Sequence, residues 1–179
     1  MVSVVKETAF SVGVAVHELA KTPVSALVFS ESLLDYCKTN ACGCYNKSWT
    51  CPPACGSFEE QQKKILLYKN VLVFTTKHNL EDSFDYDGMT KGRRLHSLLT
   101  CEIKKILGDT PVYSAGNCPI CESKTGKTAC SFPDPCPFPQ LMIGSIEAAG
   151  IDVTELGKTC KIAYNNGENT VTFFSMLLS

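Results

Sequence analysis

The sequence predicts an α/β fold: a single domain with a central mixed β-sheet, packed helices and cysteine-rich metal-binding loops. Three observations carry this reading. Short β-branched and aromatic runs alternate with stretches of helical periodicity through the middle of the chain. At 179 residues and 44% hydrophobic content, the chain can bury a real core without help from disulfides. Nine of its eleven cysteines fall into two tight groups, which places them in loops rather than spread through strands and helices.

The elements follow in chain order. The first thirty residues are ambiguous, because Ser11–Val16 alternates like a strand while the KETAFSV before it suits a helical turn. VSALVF, Val24–Phe29, and NVLVFTT, Asn70–Thr76, are runs suited to buried strands. Ser57 followed by Glu60 is a capping box, so a helix is expected from Phe58 to about Tyr68. Leu95, Leu98, Leu99, Ile103, Ile106 and Leu107 recur at helical spacing, with Gly108 as a stop. The basic KGRR at Lys91–Arg94 opens that helix and reads as a solvated face. PVYSAG, Pro111–Gly116, is a short strand that delivers the chain to Cys118. A further helix is expected from about Gln140 to Ala149, closed by Gly150. Asn166 and Gly167 lie between two strand-like runs and signal a hairpin turn. There is no internal repeat, low-complexity segment or linker, so residues 1–179 form one expected domain.

Composition excludes several function classes. A net charge of −1 argues against a nucleic-acid surface. No apolar stretch approaches the roughly 20 residues that span a bilayer, and MVSVVKETAF lacks the pattern of a secretory leader. The expected compartment is the cytoplasm, with neither nucleic acid nor membrane as a partner. Thiols there stay reduced, so clustered cysteines point to metal ligation or redox chemistry.

Cys37, Cys42, Cys44, Cys51 and Cys55 form the first group, within CKTNACGCYNKSWTCPPAC. Cys118, Cys121, Cys130 and Cys136 form the second. Cys101 and Cys160 stand apart and read as small buried apolar residues. Four thiolates at short spacing can enclose a tetrahedral zinc or an iron–sulfur cluster. Cys118/Cys121 and Cys37/Cys42 have the spacing of zinc knuckles, whereas Cys51 and Cys136 are followed directly by proline, as in ferredoxin cluster loops. Trp49 and Tyr45 suit a hydrophobic cover for a cluster, and Trp49 suits a core position equally well. His17, His78 and His96 have no ligand spacing with one another and read as structural or exposed. GKT, Gly126–Thr128, lacks the first glycine of a phosphate loop and is a false match. A thioredoxin-like role for Cys118/Cys121 requires a helix start, and the following ESKTGKT reads as a loop.

LVFSESLLDYC, then Cys42, YNKSWTCPP, SAGNCPIC, Cys130 with Phe132 and Pro133, and finally SIEAAGIDV resemble domain-of-unknown-function family 2284, a prokaryotic family of predicted metal-binding proteins. The likeness covers nearly the whole chain, and its most specific parts are the YxxxWxCPP block ending at Pro53 and the SxEAxGIDV block over Ser145–Val153. The resemblance implies a metal-binding, iron–sulfur protein without a known reaction. It puts the family's cysteines on Cys37, Cys42 and Cys51, and on Cys118, Cys121 and Cys130, with Cys44 and Cys55 as additions. The family pattern has a further cysteine where this chain has Lys124, so either Cys136 supplies the fourth thiolate or the second site is altered.

The expected cofactor is one or two 4Fe-4S clusters, with zinc as the alternative. Cys37, Cys42 and Cys51 would be the core ligands of the first centre, with Cys55 or Cys44 as the fourth, and the two groups would bind separately. The expected role is redox or electron transfer with a redox partner protein or a small-molecule ligand. The alternatives are an enzyme working at an open iron position, by sulfur transfer or small-molecule cleavage, and a zinc-stabilised interaction module.

Overall fold

The run NVLVFTT forms an interior strand of the sheet. A computed structural model describes residues 1–127 and 129–179, and in it strand β2 spans Asn70–Asn79. Among the described residues there are five strands, β1 (Leu19–Pro23), β2, β3 (Val112–Ser114), β4 (Gly144–Ser145) and β5 (Thr170–Leu178). Six α-helices accompany them: α1 (Val2–Val12), α2 (Leu33–Thr39), α3 (Phe58–Leu66), α4 (Tyr86–Leu107), α5 (Ile120–Thr125) and α6 (Val153–Cys160). The sheet order is β1-β2-β5-β3-β4. All neighbours are antiparallel except β3 and β4, which run parallel, so the sheet is mixed as expected.

Val71–Phe74 are apolar on both faces because both faces are covered. Val71 and Val73 face one core with Met176, Leu178, Ile65 of α3 and Leu156 of α6. Leu72 and Phe74 face a second with Leu177, Leu99 and Ile103 of α4, and Val5 and Ala9 of α1. Each fully buried side chain of this size contributes about 1.5–3 kcal/mol of transfer free energy. The second core turns polar at one end. His96 Nδ1 lies 2.9 Å from Thr76 Oγ1 and His96 Nε2 lies 2.9 Å from Ser175 Oγ, while Ser175 Oγ also meets Thr100 Oγ1 at 3.0 Å and Ser114 Oγ at 3.1 Å. His96 is therefore structural, and burial pushes its pKa down to about 3.

The capping box is present in full: the Glu60 N–H donates to Ser57 Oγ, and the Glu60 carboxylate accepts from the Ser57 N–H. Helix α4 starts nine residues before Leu95, at Tyr86, where Asp85 Oδ1 accepts the Gly88 N–H at 2.7 Å, so Lys91–Arg94 lies within the helix rather than at its start. Gly92 is required there, because a Cβ would sit 2.9 Å from the His78 ring.

Several elements differ from expectation. The opening is helical through Val12, with Val5, Thr8 and Ala9 buried at helical spacing. VSALVF is not a strand: pairing occupies Leu19–Pro23, Val24–Ala26 is a 3-10 turn, and Phe29 keeps one bridge to Ile151. Pro23 lacks an N–H and marks the end of this edge strand. The helix expected over 140–149 is instead two 3-10 turns, Pro139–Leu141 and Glu147–Ala149, around β4. Its parallel pairing to β3 outweighs the local helical preference. Gly150 is still the stop, at φ 76°. Asn166 and Gly167 do not join two paired strands, because both edges of β5 are taken by β2 and β3. Asn166 instead holds His17 Nε2 through its Oδ1 at 2.9 Å and donates to the Ala163 carbonyl and Thr172 Oγ1. Thr128, the last residue of the GKT match, lies outside the described residues.

Candidate metal centres

The first cysteine group lies on α2 and the turns after it. Cys37 is on the helix, which Asn40 ends in a left-handed conformation while its Oδ1 accepts the Tyr45 N–H at 3.0 Å. The loop then folds back on itself: the Asn46 N–H donates to the Pro52 carbonyl at 2.8 Å, Cys51 to Ser48 at 3.2 Å and Cys55 to Cys51 at 3.1 Å. These turns gather the thiols. Burial pushes the Cys51 thiol up to about 12, and the neighbouring Cys44, Cys42 and Cys55 push in the same direction. Cys37 is raised by burial, then by Cys42 and by the Glu147 carboxylate. Cys44 is raised by burial and by Cys42, and Cys55 by burial and by Cys37. Thiols that disfavour one another's ionisation form a site where a cation relieves the repulsion.

Strand β3 delivers the chain to the second group. Cys118, Cys121, Cys130 and Cys136 line one cavity together with Ser48, Trp49, Thr50 and Phe138. Polar groups lie beside the sulfurs: the Ile143 N–H donates to Cys118 Sγ at 3.5 Å, and the main-chain amides of Ser131 near Cys121 and of Trp49 and Phe132 near Cys130 favour ionisation of those thiols. Burial raises the Cys130 thiol, but the nearby main-chain amides of Trp49 and Phe132 and the hydroxyls of Ser48 and Ser131 outweigh it and hold the pKa below the ordinary thiol value. Beside Cys130, Ser131 Oγ is buried with no hydrogen-bond partner among the described residues. Lys124 is exposed on α5 and does not line this cavity, whereas Cys136 does.

This donor set fits a thiophilic metal centre. Polar hydrogens directed at sulfur stabilise thiolates and tune whatever they bind. The fit is chemical rather than fully formed. Among the described residues, no three His, Cys, Asp or Glu side chains are converged as a finished ion site. The cavity offers about 10 Å³ of free volume, on the order of one water. Closing the thiols on a metal takes side-chain movement.

Sequence reasoning missed the supporting residues. Ser48 and Thr50 flank Trp49, and Thr50 Oγ1 accepts the Cys118 N–H at 3.2 Å. Glu147 Oε2 accepts from the Gly116 N–H and from Ser145 Oγ, both at 3.0 Å. The available signal was their position inside the YxxxWxCPP and SxEAxGIDV blocks. Arg93 and Arg94 of α4 pair with Glu122 of α5, the neighbour of Cys121, at 3.1 and 3.4 Å. The segment after Cys118 is also corrected: residues 120–125 are the helix α5, so the Cys118/Cys121 pair does lie at a helix start. A thioredoxin-like reading still fails, because burial raises the Cys118 thiol instead of activating it, and the pair shares its cavity with Cys130 and Cys136. Cys101 and Cys160 are core residues, as expected.

The family model described as "Predicted metal-binding protein (DUF2284)" matches residues 20–179. A patch of 69 residues, 38% of the chain, is 41% identical to galactinol synthase 7 of Arabidopsis thaliana. That patch covers 18% of the plant protein, so the chain spans under a fifth of that relative's length. No solved structure matches.

Proposed function

The chain belongs to the DUF2284 family of predicted metal-binding proteins, and on that premise we propose that its two thiol groups hold iron–sulfur clusters and that the protein transfers electrons to or from a redox partner. The observation that carries this reading is the second cavity, which Cys118, Cys121, Cys130 and Cys136 line together with Trp49. A 4Fe-4S cluster takes four thiolates and supplies one-electron chemistry at a potential set by hydrogen bonds to sulfur and by exclusion of water. The chain provides both controls. The Ile143 N–H reaches the Cys118 sulfur and the main-chain amides of residues 49, 131 and 132 lie near Cys121 and Cys130, while Trp49 and Phe138 line the cavity beside the thiols. In the first group, Cys37, Cys42 and Cys51 are the core ligands and Cys55 or Cys44 completes the set. If only three thiols close there, an open iron position would accept a small ligand, which is the enzymatic alternative.

The small free volume of the second cavity favours a second reading, a single zinc ion held for stability. Anaerobic purification followed by metal and acid-labile sulfide analysis separates the two. Iron with matching sulfide is the expected result, and stoichiometric zinc without sulfide overturns it in favour of zinc.

A further inference from the structure

Ser48, Trp49 and Thr50 carry no thiol, yet they lie between Cys44 and Cys51 of the first group and are fastened to the second. Thr50 Oγ1 accepts the Cys118 N–H at 3.2 Å, and Ser48 Oγ lies 3.3 Å from Thr50 Oγ1. On the other side of the turn, the Trp49 indole N–H donates to the Asp134 carbonyl at 3.0 Å, and the ring meets Phe132 edge-on at 5.0 Å. The turn closes on itself through the Cys51 N–H and the Ser48 carbonyl at 3.2 Å. Ser48 is 2% exposed and Thr50 7%. A buried turn fixed in this way cannot shift without moving Cys118 and the Cys130–Cys136 loop on one side and Cys51 on the other.

Resting on the metal-binding reading above, we infer that Ser48 and Thr50 are positioning residues that couple the two thiol groups, so that metal held by Cys118, Cys121, Cys130 and Cys136 tightens binding at Cys37, Cys42 and Cys51. The physical basis is shared ordering. A metal at either group selects the arrangement of the turn in which its own thiols converge, and the other group then meets a segment already ordered. Linkage makes the effect reciprocal. Thr50 is the critical residue: its Oγ1 accepts the Cys118 N–H, and valine has the same shape without the acceptor. The two groups then remain separate centres with coupled affinities.

The probe is Co²⁺ alone, added without oxygen to the reduced full-length chain, because thiolate-to-cobalt charge-transfer absorption reports sulfur ligation directly. Cys118→Ser with Cys121→Ser isolates the first group, and Cys37→Ser with Cys51→Ser isolates the second. The first group is expected to bind Co²⁺ roughly fivefold or more weakly when the second is disabled. Thr50→Val is expected to weaken the second group about tenfold and to abolish that difference, and Thr50→Ser to restore both. Should Thr50→Val lower the melting point of the metal-free chain, Ser48→Ala carries the same expectations. Affinities within about twofold of the parent in these variants, in a chain that shows the charge-transfer bands, overturn the coupling alone. A full-length chain without such bands overturns the metal-binding reading from which the coupling starts.

Discussion

The Trp49 indole N–H donates to the main-chain carbonyl of Asp134 at 3.0 Å, joining the two cysteine segments across 85 residues of sequence. Trp49→Phe keeps most of the ring and removes the donor, leaving that carbonyl without its partner. The expected cost is about 1 kcal/mol, read as a lower urea midpoint in the reduced, metal-free protein. Because Trp49 is the chain's only tryptophan and lines the second cavity, its emission should fall as that group fills. Unchanged fluorescence on loading would place the metal elsewhere.

The thiols divide by role. At saturating metal, Cys118→Ala or Cys121→Ala should deplete the second centre, and Cys37→Ala or Cys51→Ala the first. Cys101→Ala and Cys160→Ala should leave metal content unchanged, because these side chains lie in the cores at 0% and 9% exposure. Metal analysis of the six variants checks the assignment.

Cys136 should act as the fourth ligand of the second centre. Cys136→Ser in anaerobically reconstituted protein is expected to lose or convert one cluster by iron content and spectrum. Lys124→Cys added to it tests whether the position where the family pattern has its cysteine can substitute. An unaltered spectrum in Cys136→Ser would leave a three-thiol centre.

His96 makes stability depend on acid. Its pKa is about 3 in the folded chain, against an ordinary 6.5 when unfolded, because burial among Phe74, Thr76 and Ser175 disfavours the cation. Below 6.5 the unfolded chain binds the extra proton and the folded chain does not. The contribution is therefore fully present above that pH and is lost as the pH falls toward 3, by up to about tenfold in the folding constant per unit. His96→Leu should flatten this slope in urea titrations of the metal-free protein. Ser175 keeps Thr100 and Ser114 as partners in that variant, and Thr76 keeps His78.

Gly92→Ala should destabilise despite alanine's better helix propensity. The new methyl would lie 2.9–3.1 Å from ring and Cβ atoms of His78, and relief requires moving β2 or α4. The expected loss is about 1–3 kcal/mol, measurable by thermal or urea denaturation.

Features that depend on neighbours along the chain are legible in the order of the residues. Ser57 and Glu60 locate the start of α3 because a capping box closes within one turn. The apolar spacing from Leu95 to Leu107 marks α4 because a helical period needs only neighbours along the chain, although of these residues Leu99 and Ile103 are buried while Leu98 and Ile106 are exposed. The cysteine spacing announces two thiol groups because ligands close in sequence are cheap to bring together. Tertiary structure decided the rest. VSALVF had strand composition but lost its pairing at Pro23, and residues 140–149 gave up helix for a place beside β3, since a strand exists only where another strand offers its edge. The same holds at the centres. No local pattern places Thr50 under the Cys118 amide or the Trp49 indole N–H at the Asp134 carbonyl, because those hydrogen bonds join segments 68 and 85 residues apart and form only when the whole sheet has set their positions.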